Sequence, residues 1–250
     1  MPELSLYHWV SFGLIATGVL VAISLIFMRA PYGRYERQGW GPEMDERFGW
    51  MIMEAVSPLS FLTAFFLAGG SGPVAYILLA MFCGHYVYRS FIYPFRMRGH
   101  GSKPVATVLM AVLFNTANGS VNGWGVATAA HLTEAWLASP LFWIGIALFG
   151  FGMFTNLQSD HILRNLRGPG ETGYKIPHGG LFRFVTSPNY LGEIIEWTGF
   201  AIAASTLGGL SFAIFTASNI GPRAFSHHAW YREKFPDYPA NRKALIPFIA

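Results

Sequence analysis

Four polar residues in the second half of the chain recur at helical spacing. They are Asn156, Asp160, Arg164 and Arg167, at offsets of 0, 4, 8 and 11 residues. At about 100° per residue, these offsets place the four side chains within an arc of about 80° on one helix face. Two guanidinium groups on such a face suit a phosphate, because each can bind two oxygen atoms at once. The alternative is a solvated helix end with a weak Asp160–Arg164 pair.

A second face of this kind lies near the C-terminus. Arg223, His227 and Tyr231 recur at a spacing of four residues and therefore share one side of a helix. On the topology derived below, both faces lie on the cytosolic side. Together they predict a pocket for a phosphate-bearing ligand, built from helix ends.

Several ionisable residues occur inside or at the edge of long apolar stretches. Glu54 lies about one turn inside one stretch, Tyr86 and Arg89 lie in another, and Glu193 and Glu196 open a third. An ionisable group in a bilayer costs several kcal/mol unless it is paired or solvated, so each of these is a functional candidate. The alternative reading is that they pair with one another and tie helices together.

The composition is that of a membrane protein. Of the 250 residues, 12% are charged, 52% are apolar and 16% are aromatic, which leaves too few charges for the polar shell of a soluble domain. The single cysteine, Cys83, lies in an apolar run, so we expect neither a disulfide framework nor a thiolate cluster. The net charge of +4 is small. It is more typical of loop topology than of a nucleic-acid surface, so we expect no nucleic-acid partner.

The apolar stretches predict seven transmembrane helices and an all-α, polytopic fold. A span needs about 20 apolar residues, and the candidate spans are 7–28, 50–67, 73–95, 104–121 and 140–157. A last stretch, 190–220, is too long for one span. The unit Thr206-Leu207-Gly208-Gly209 near its middle predicts a turn that divides it into two helices.

The basic residues predict the orientation of these spans. All 17 Lys and Arg residues fall after spans one, three, five and seven, or in the end of span three. Because Lys and Arg are retained on the cytosolic side, the N-terminus is expected outside and the C-terminus in the cytosol. No basic residue precedes the first span and no small-residue cleavage site follows it, so we interpret it as a span rather than a cleaved signal.

A metal site and a Rossmann domain are both disfavoured. His227 and His228 are adjacent and point to different helix faces, and no His/Glu pair has zinc-ligand spacing with a third partner, so we expect no metal. Gly168, Gly170 and Gly173 do not follow a strand, so they are not a dinucleotide fingerprint. Any nucleotide is therefore expected to be bound by helices and loops.

Longer motifs in the second half of the chain carry a resemblance to a known family. They are GYKIPHGGLF at 173–182, SPNYLGE at 187–193, EW at 196–197, RAFSHH at 223–228, DYP at 237–239 and RKALIPF at 242–248. Together they resemble the steroid 5α-reductase family, in a bacterial member. The resemblance is dense from Asn156 to the C-terminus and thinner in spans two and three.

The resemblance implies an NADPH-dependent reductase that acts on the 4,5 double bond of 3-oxo-4-ene steroids. It implies one domain over 1–250, in which about 1–140 form the substrate side and about 141–250 the NADPH side. The expected location is the bacterial inner membrane, with the cofactor site facing the cytosol. The expected partners are a steroid substrate and membrane lipid, and we expect a monomer.

The resemblance also implies roles for individual residues. Glu54 and Tyr86 resemble the pair that meets the 3-oxo group of the steroid, and Arg98 is expected to add to the phosphate environment of the cofactor. The chain departs from the family at Met53, where Gln is common, and at Ser226, where a third consecutive histidine is expected. The residues that resemble the NADPH-contacting set are Asn156, Asp160, Arg164, Arg167, Tyr174, Asn189, Glu193, Arg223, His227 and Tyr231.

Three other readings of the sequence remain open. A membrane methyltransferase of the isoprenylcysteine carboxyl type shares a C-terminal cofactor pocket and a turn like Pro188-Asn189-Tyr190, but S-adenosylmethionine has no phosphate for Arg164 and Arg167. A reductase of another sterol or of an enoyl lipid shares NADPH and differs in substrate. A transporter or assembly factor predicts polar groups across the bilayer midplane, whereas here they concentrate in the cytosolic half.

Overall fold

The computed structural model describes residues 4–28, 41–97, 101–168, 171 and 173–250, and within these the chain is mostly helical. A π-helical turn, Tyr88–Ile92, joins a helix that ends at Val87 to one that begins at Tyr93, and two short 3-10 turns cover Glu134–Ala138 and Gly180–Arg183. The α-helices are Leu6–Phe27 (α1), Glu46–Leu67 (α2), Pro73–Val87 (α3), Tyr93–Arg96 (α4), Val105–Thr128 (α5), Pro140–Asn165 (α6), Pro188–Ala204 (α7) and Leu207–Lys234 (α8).

The all-α prediction needs one correction. Two three-residue strands, Glu43–Asp45 (β1) and Ser102–Pro104 (β2), pair antiparallel with Met44 opposite Lys103. The ribbon precedes α2 and α5, and the Asp45 side chain caps α2 by accepting hydrogen bonds from the backbone N–H groups of Arg47 and Phe48. A ribbon this short has too few residues to show the alternating pattern of a strand.

The number of long helices agrees with the predicted spans. In the described residues, seven helices have 15 or more residues, with α3 extended through the π-helical turn into α4. Four segments are long and apolar enough to cross a membrane: Leu6–Phe27, Glu46–Leu67, Pro73–Arg96 and Pro140–Asn165. Membrane crossing by α5, α7 and α8 therefore stays a prediction, as does the orientation of the termini.

The predicted break in the last apolar stretch is confirmed, slightly earlier than expected. Helix α7 ends at Ala204, and Ser205 adopts a left-handed backbone conformation with φ 48°. The Thr206 hydroxyl then accepts a hydrogen bond from the N–H of Gly209 at 3.1 Å, which caps the start of α8. Gly208 and Gly209 therefore lie in the first turn of α8 rather than in the connection.

An aromatic core lies where the inner faces of α2, α3, α7 and α8 meet. The Phe82 ring is fully buried, and its centroid lies 4.6 Å from that of Phe61 and 5.5 Å from that of Trp197. Phe212 of α8 completes the cluster, 4.2 Å from Trp197. Because aromatic residues dominate the energetics of buried cores, this cluster fixes α3 against α7, the two helices that matter most for the site below.

Helices α6 and α7 pack backbone to backbone through glycines. Gly145 and Gly152 of α6 face Gly199 and Gly192 of α7, and a Cβ added at Gly192 would lie 2.6 Å from the backbone nitrogen of Asn156. A Cβ at Gly152 would overlap the backbone nitrogen of Glu196. Small residues allow such close approach between membrane helices, and here they bring polar residues of the two helices into register.

We expect Gly152→Ala to destabilise the protein by about 1–3 kcal/mol, because the new methyl group has backbone rather than a flexible side chain in its way. Gly150→Ala is the matched control, since nothing lies within 4 Å of a Cβ at that position on the same helix. Thermal unfolding in detergent measures both variants. Equal melting temperatures for the two would show that α6 and α7 are not held at this distance.

Candidate functional site

Glu54 and Tyr86 lie together on the inner faces of α2 and α3. The Tyr86 side chain is buried, with 4% of its surface exposed. Its phenol lies within hydrogen-bonding range of the Ser57 side chain and close enough to the Glu54 carboxyl to interact electrostatically. The Phe82 and Trp197 rings pack against Tyr86 at 4.9 Å and 5.7 Å. A phenol and a carboxyl group thus lie close together between α2 and α3.

Arg89 joins this pair to α6. It lies in the π-helical turn Tyr88–Ile92, a rare element that often marks functional sites. Its guanidinium lies over the rings of Trp50 at 4.8 Å and Tyr93 at 4.5 Å, and 3.6 Å separates Nη1 from Oδ2 of Asp160. The Trp50 indole N–H donates to the Arg89 carbonyl at 3.1 Å.

Asp160 therefore makes its ion pair with Arg89, on another helix. The sequence offered an Asp160–Arg164 pair as the alternative to a ligand site. Arg164 lies near enough to Asp160 to act on it electrostatically, but the close ionic contact goes to Arg89. For Arg89, this contact is of the kind that the alternative reading describes, because it ties the π-helical turn to α6.

The predicted cofactor residues of α6 and α7 meet at the start of α7. The side-chain amide of Asn156 donates to the Asn189 carbonyl at 3.0 Å. The Asn189 side chain in turn lies within hydrogen-bonding range of Asp160. Glu193, one turn along α7, is close enough to Arg89 to interact electrostatically. The structure thus brings these predicted residues together around Arg89.

Helix α8 reaches the same region because two of its side chains contact Tyr190 of α7. The Arg223 guanidinium lies 5.4 Å from the Tyr190 ring centroid, and the His227 ring lies 5.5 Å from it. Because Tyr190 directly follows Asn189, the two predicted faces, on α6 and on α8, both converge on the N-terminal turn of α7. The spacing argument for a shared pocket is consistent with this convergence.

The remaining predicted cofactor residues lie near the C-terminal ends of α6 and α8. Tyr174 is half exposed and packs edge-on against Trp230 at 4.9 Å, whereas Tyr231 is buried and stacks on Tyr238 at 5.4 Å. Arg164 is partly buried on α6, whereas Arg167 is exposed and follows the end of α6 at Asn165, so it lies outside the helix face that the spacing predicted. Arg98 lies outside the described residues.

The donor set at this end of the molecule fits a phosphate-bearing nicotinamide cofactor. Among the described residues, Nη1 of Arg164 is buried and makes no hydrogen bond, and guanidinium donors of this kind suit phosphate oxygens. The amides of Asn156 and Asn189 and the carboxyl of Glu193 offer the mixed donors and acceptors that a carboxamide or a sugar hydroxyl needs. Within the described ranges no three His, Cys, Asp or Glu residues cluster as metal ligands.

Comparison with known proteins identifies the family. The profile of a family described as 3-oxo-5-alpha-steroid 4-dehydrogenase matches residues 101–250. The chain is 45% identical over 239 residues to 3-oxo-5-alpha-steroid 4-dehydrogenase 1 of Rattus norvegicus, which covers 93% of this chain and 92% of the relative. It belongs to the steroid 5α-reductase family.

A plant relative and a human relative give the same result. Steroid 5-alpha-reductase DET2 of Gossypium hirsutum is 38% identical over 257 residues, covering 98% of both chains. 3-Oxo-5-alpha-steroid 4-dehydrogenase 1 of Homo sapiens is 44% identical over 223 residues, covering 87% of this chain and 85% of the relative. The family prediction is confirmed, and the expected bacterial origin stays a prediction. Members of the steroid 5α-reductase family reduce 3-oxo-4-ene steroids and depend on NADPH.

Sequence reasoning singled out Glu196 without a partner, and it missed the contacts that Asn115 and His85 make. Asn115 of α5 donates its amide to the Met53 carbonyl at 2.6 Å, which fixes the helix turn that carries Glu54. His85 and Glu196 form a buried pair between α3 and α7. The interruption of the fourth apolar stretch by asparagines was a signal for Asn115, but nothing in the sequence pointed to the contact with Met53, 62 residues away.

A polar network docks the C-terminal tail onto α8 and onto the segment before α7. The Thr186 hydroxyl lies 2.6 Å from Nδ1 of His228 and 2.7 Å from the Tyr238 hydroxyl. The Thr186 N–H donates to the Lys243 carbonyl at 2.8 Å, and the Lys243 N–H donates to the Phe184 carbonyl at 2.8 Å. These contacts hold the tail against the segment that leads into α7.

Acid is expected to weaken this network. Partial burial, reinforced by the charges of Arg232, Arg242 and Lys243, holds the pKa of His228 below its ordinary value. The unfolded chain therefore binds more protons than the folded one, so the stability that neutral His228 contributes is lost as the pH falls below about 6.5.

The melting temperature measured between pH 8 and pH 5 should fall more for the wild type than for His228→Asn, which keeps a hydrogen-bonding group at the Nδ1 position. His161→Asn, at an exposed position on α6, is the control and should follow the wild type. Parallel falls for the wild type and His228→Asn would contradict the prediction.

Proposed function

We propose that this chain catalyses the NADPH-dependent reduction of the 4,5 double bond of a 3-oxo-4-ene steroid to the 5α-steroid. The observation that carries the proposal is the position of the Glu54–Tyr86 pair. It is joined through Arg89 to Asp160, and so to the amide cluster of Asn156 and Asn189. Groups suited to an enone carbonyl thus lie next to groups suited to a nicotinamide cofactor, as a reductase requires.

On the substrate side, the proposed task of Tyr86 and Glu54 is to stabilise negative charge. Addition of a hydride to the β-carbon of an enone places charge on the carbonyl oxygen, which becomes an enolate oxygen. A proton from solvent then adds to the α-carbon, which restores the ketone and completes the reduction. The Tyr86 phenol donates a hydrogen bond to the enolate oxygen, and Glu54 donates a second when it is protonated. Preorganised donors of this kind are among the largest contributions to catalysis, and neutral carboxyl groups serve as donors in other enzymes.

On the cofactor side, the proposed task of the protein is to bind and orient NADPH, which supplies the hydride when bound. Arg164 and Arg223, with Arg167 at the helix end, are proposed to hold phosphate groups. Asn156, Asn189 and Glu193 are proposed to orient the nicotinamide end, since Glu193 interacts with Arg89 and the two amides are linked to Arg89 through Asp160. Tyr174, His227, Tyr231 and Arg98 are proposed to complete the cofactor environment.

We also propose the seven-span topology, with residues of about 1–140 on the substrate side and about 141–250 on the NADPH side. The protein then lies as a monomer among lipids in a bacterial inner membrane, with the cofactor site in the cytosol. In a Cys83→Ser background, a cysteine at Glu134 should react with a membrane-impermeant maleimide from outside intact cells, and one at Lys243 only after lysis. The reverse pattern would overturn the orientation.

The proposed reaction is tested by incubating detergent-purified protein with progesterone and NADPH. We expect a product heavier by two hydrogens with 5α stereochemistry. The methyltransferase alternative predicts binding of S-adenosylmethionine instead, so calorimetric titration with both cofactors separates the two. Binding of S-adenosylmethionine without binding of NADPH would overturn the proposal.

A further inference from the structure

His85 of α3 and Glu196 of α7 form a fully enclosed pair next to the proposed catalytic phenol. Nδ1 of His85 lies 2.6 Å from Oε1 of Glu196, and the Glu196 side chain has no exposed surface. Among the described residues, Oε2 of Glu196 accepts no hydrogen bond, so the contact with His85 is what holds this carboxyl group. Neither residue belongs to the substrate or cofactor set proposed above.

The pair connects two dipeptides that lie side by side on neighbouring helices, His85-Tyr86 and Glu196-Trp197. His85 precedes Tyr86 on α3, and Glu196 precedes Trp197 on α7. The His85 ring lies edge-on to Trp197 at 4.7 Å and to Tyr86 at 5.1 Å, and the Tyr86 and Trp197 rings are 5.7 Å apart. The His85 ring and the Trp197 ring therefore both pack against Tyr86.

The backbone of Glu196 is also fixed by its close packing against α6. Its backbone nitrogen packs directly on Gly152 of α6, where even a methyl group would overlap it. One turn earlier on α7 lies Glu193, which faces Arg89 and the cofactor-side cluster. The carboxyl group that contacts His85 thus lies on the same helix turn as Glu193, which is proposed to orient the nicotinamide end.

We propose that His85 and Glu196 are positioning residues that hold the Tyr86 phenol in register with the cofactor-side groups of α7. The inference rests on the role proposed above for Tyr86. A hydride donor and an enone react only in a narrow range of geometry, and a displacement of about 1 Å can cost about 100-fold in rate. The pair fixes this geometry because it links the helix that polarises the substrate carbonyl to the helix that orients the cofactor.

The alternative is that the pair only stabilises the fold, and a comparison in two backgrounds separates the two readings. Glu196→Ala is made in the wild type and in Tyr86→Phe, and kcat and KM for progesterone, the Kd for NADPH and the melting temperature are measured. If Glu196 acts through Tyr86, the Glu196→Ala substitution lowers kcat by about tenfold or more in the wild type, because the phenol is displaced. In Tyr86→Phe, where the phenol is already absent, it lowers kcat by less than about twofold.

Conservative variants supply a second, independent measurement should Glu196→Ala fail to fold. Asn at position 85 places an amide where Nδ1 of histidine lies, whereas Gln places it where Nε2 lies. Since Nδ1 makes the contact, His85→Asn should keep kcat within about threefold of the wild type and His85→Gln should lose about tenfold, with unchanged NADPH affinity in both. Glu196→Gln, which keeps the acceptor oxygen, should behave like His85→Asn.

Two outcomes would overturn the inference, and they can be told apart. Equal losses of kcat from Glu196→Ala in both backgrounds, or equal losses from His85→Asn and His85→Gln, would show that the pair does not act through Tyr86. Wild-type kcat in Tyr86→Phe itself would overturn the role proposed for Tyr86 and, with it, this inference.

Discussion

Replacing Tyr86 with Phe should lower kcat for steroid reduction by about 100-fold, equivalent to about 2.7 kcal/mol of transition-state stabilisation. The substitution removes one hydroxyl group and leaves the ring in place between Phe82 and Trp197. Because the donor acts on charge that develops only in the transition state, KM for the steroid and the Kd for NADPH should change little. Glu54→Gln should also lower kcat, since an amide orients and donates differently from a carboxyl group.

Matched controls exist for both substitutions. Tyr76 lies on the same helix as Tyr86 but is half exposed, and Glu134 is exposed in the 3-10 turn before α6. Tyr76→Phe and Glu134→Gln should keep kcat within about twofold of the wild type, as expected for surface substitutions away from a site. A Tyr86→Phe variant that loses affinity for NADPH while kcat stays unchanged would indicate that the phenol contacts the cofactor. That result would contradict the role proposed for Tyr86 at the steroid carbonyl.

Replacing Asp160 with Ala should damage both stability and cofactor binding. It leaves the largely buried Arg89 guanidinium without its ionic partner on α6, and breaking such a pair typically costs about 3–5 kcal/mol. For a chain of this size that corresponds to a fall in melting temperature of roughly 6 °C or more. Because the Asn189 side chain also interacts with Asp160, the Kd for NADPH should rise by about tenfold or more.

Asp237→Ala is the control for Asp160→Ala, since Asp237 is exposed in the C-terminal tail. Its melting temperature and Kd for NADPH should match the wild type. Asp160→Asn removes the charge but keeps an acceptor oxygen. Its melting temperature and its Kd for NADPH should therefore lie between those of Asp160→Ala and Asp237→Ala. An Asp160→Ala variant with unchanged NADPH affinity would show that Asp160 serves only the ion pair and would remove it from the proposed cofactor set.

Helix positions followed from the sequence because apolar runs of about 20 residues have few other uses. The predicted limits 140–157 for the fifth span stopped short, since α6 continues to Asn165. The additional residues, 158–165, include Asp160 and Arg164. Their polar side chains end the apolar run, but the helix continues through them. The last helix likewise runs to Lys234, well past residue 220, because hydropathy shows where a helix leaves the bilayer and not where its hydrogen bonding ends.

Site residues were predictable where one helix face or a family motif carried them. The spacing from Asn156 to Arg167 placed Asn156 and Asp160 on a common face, and the structure brings both to Asn189. Their partners could not be read from spacing. Arg89 reaches Asp160 from a π-helical turn, and Glu196 reaches His85 across 111 residues of sequence. Contacts of this kind depend on tertiary packing, which helical periodicity on a single element does not encode.

The most direct test of the central claim follows the hydride itself. Progesterone is incubated with the purified protein and NADPH that carries deuterium at both hydrogens of nicotinamide carbon 4. The account predicts a product heavier by about 3 Da, from one deuterium and one hydrogen, against about 2 Da with unlabelled NADPH, with the deuterium on carbon 5 of the steroid, because nicotinamide supplies the hydride. A reduced product without deuterium, or no reduction while NADPH is bound, would contradict it.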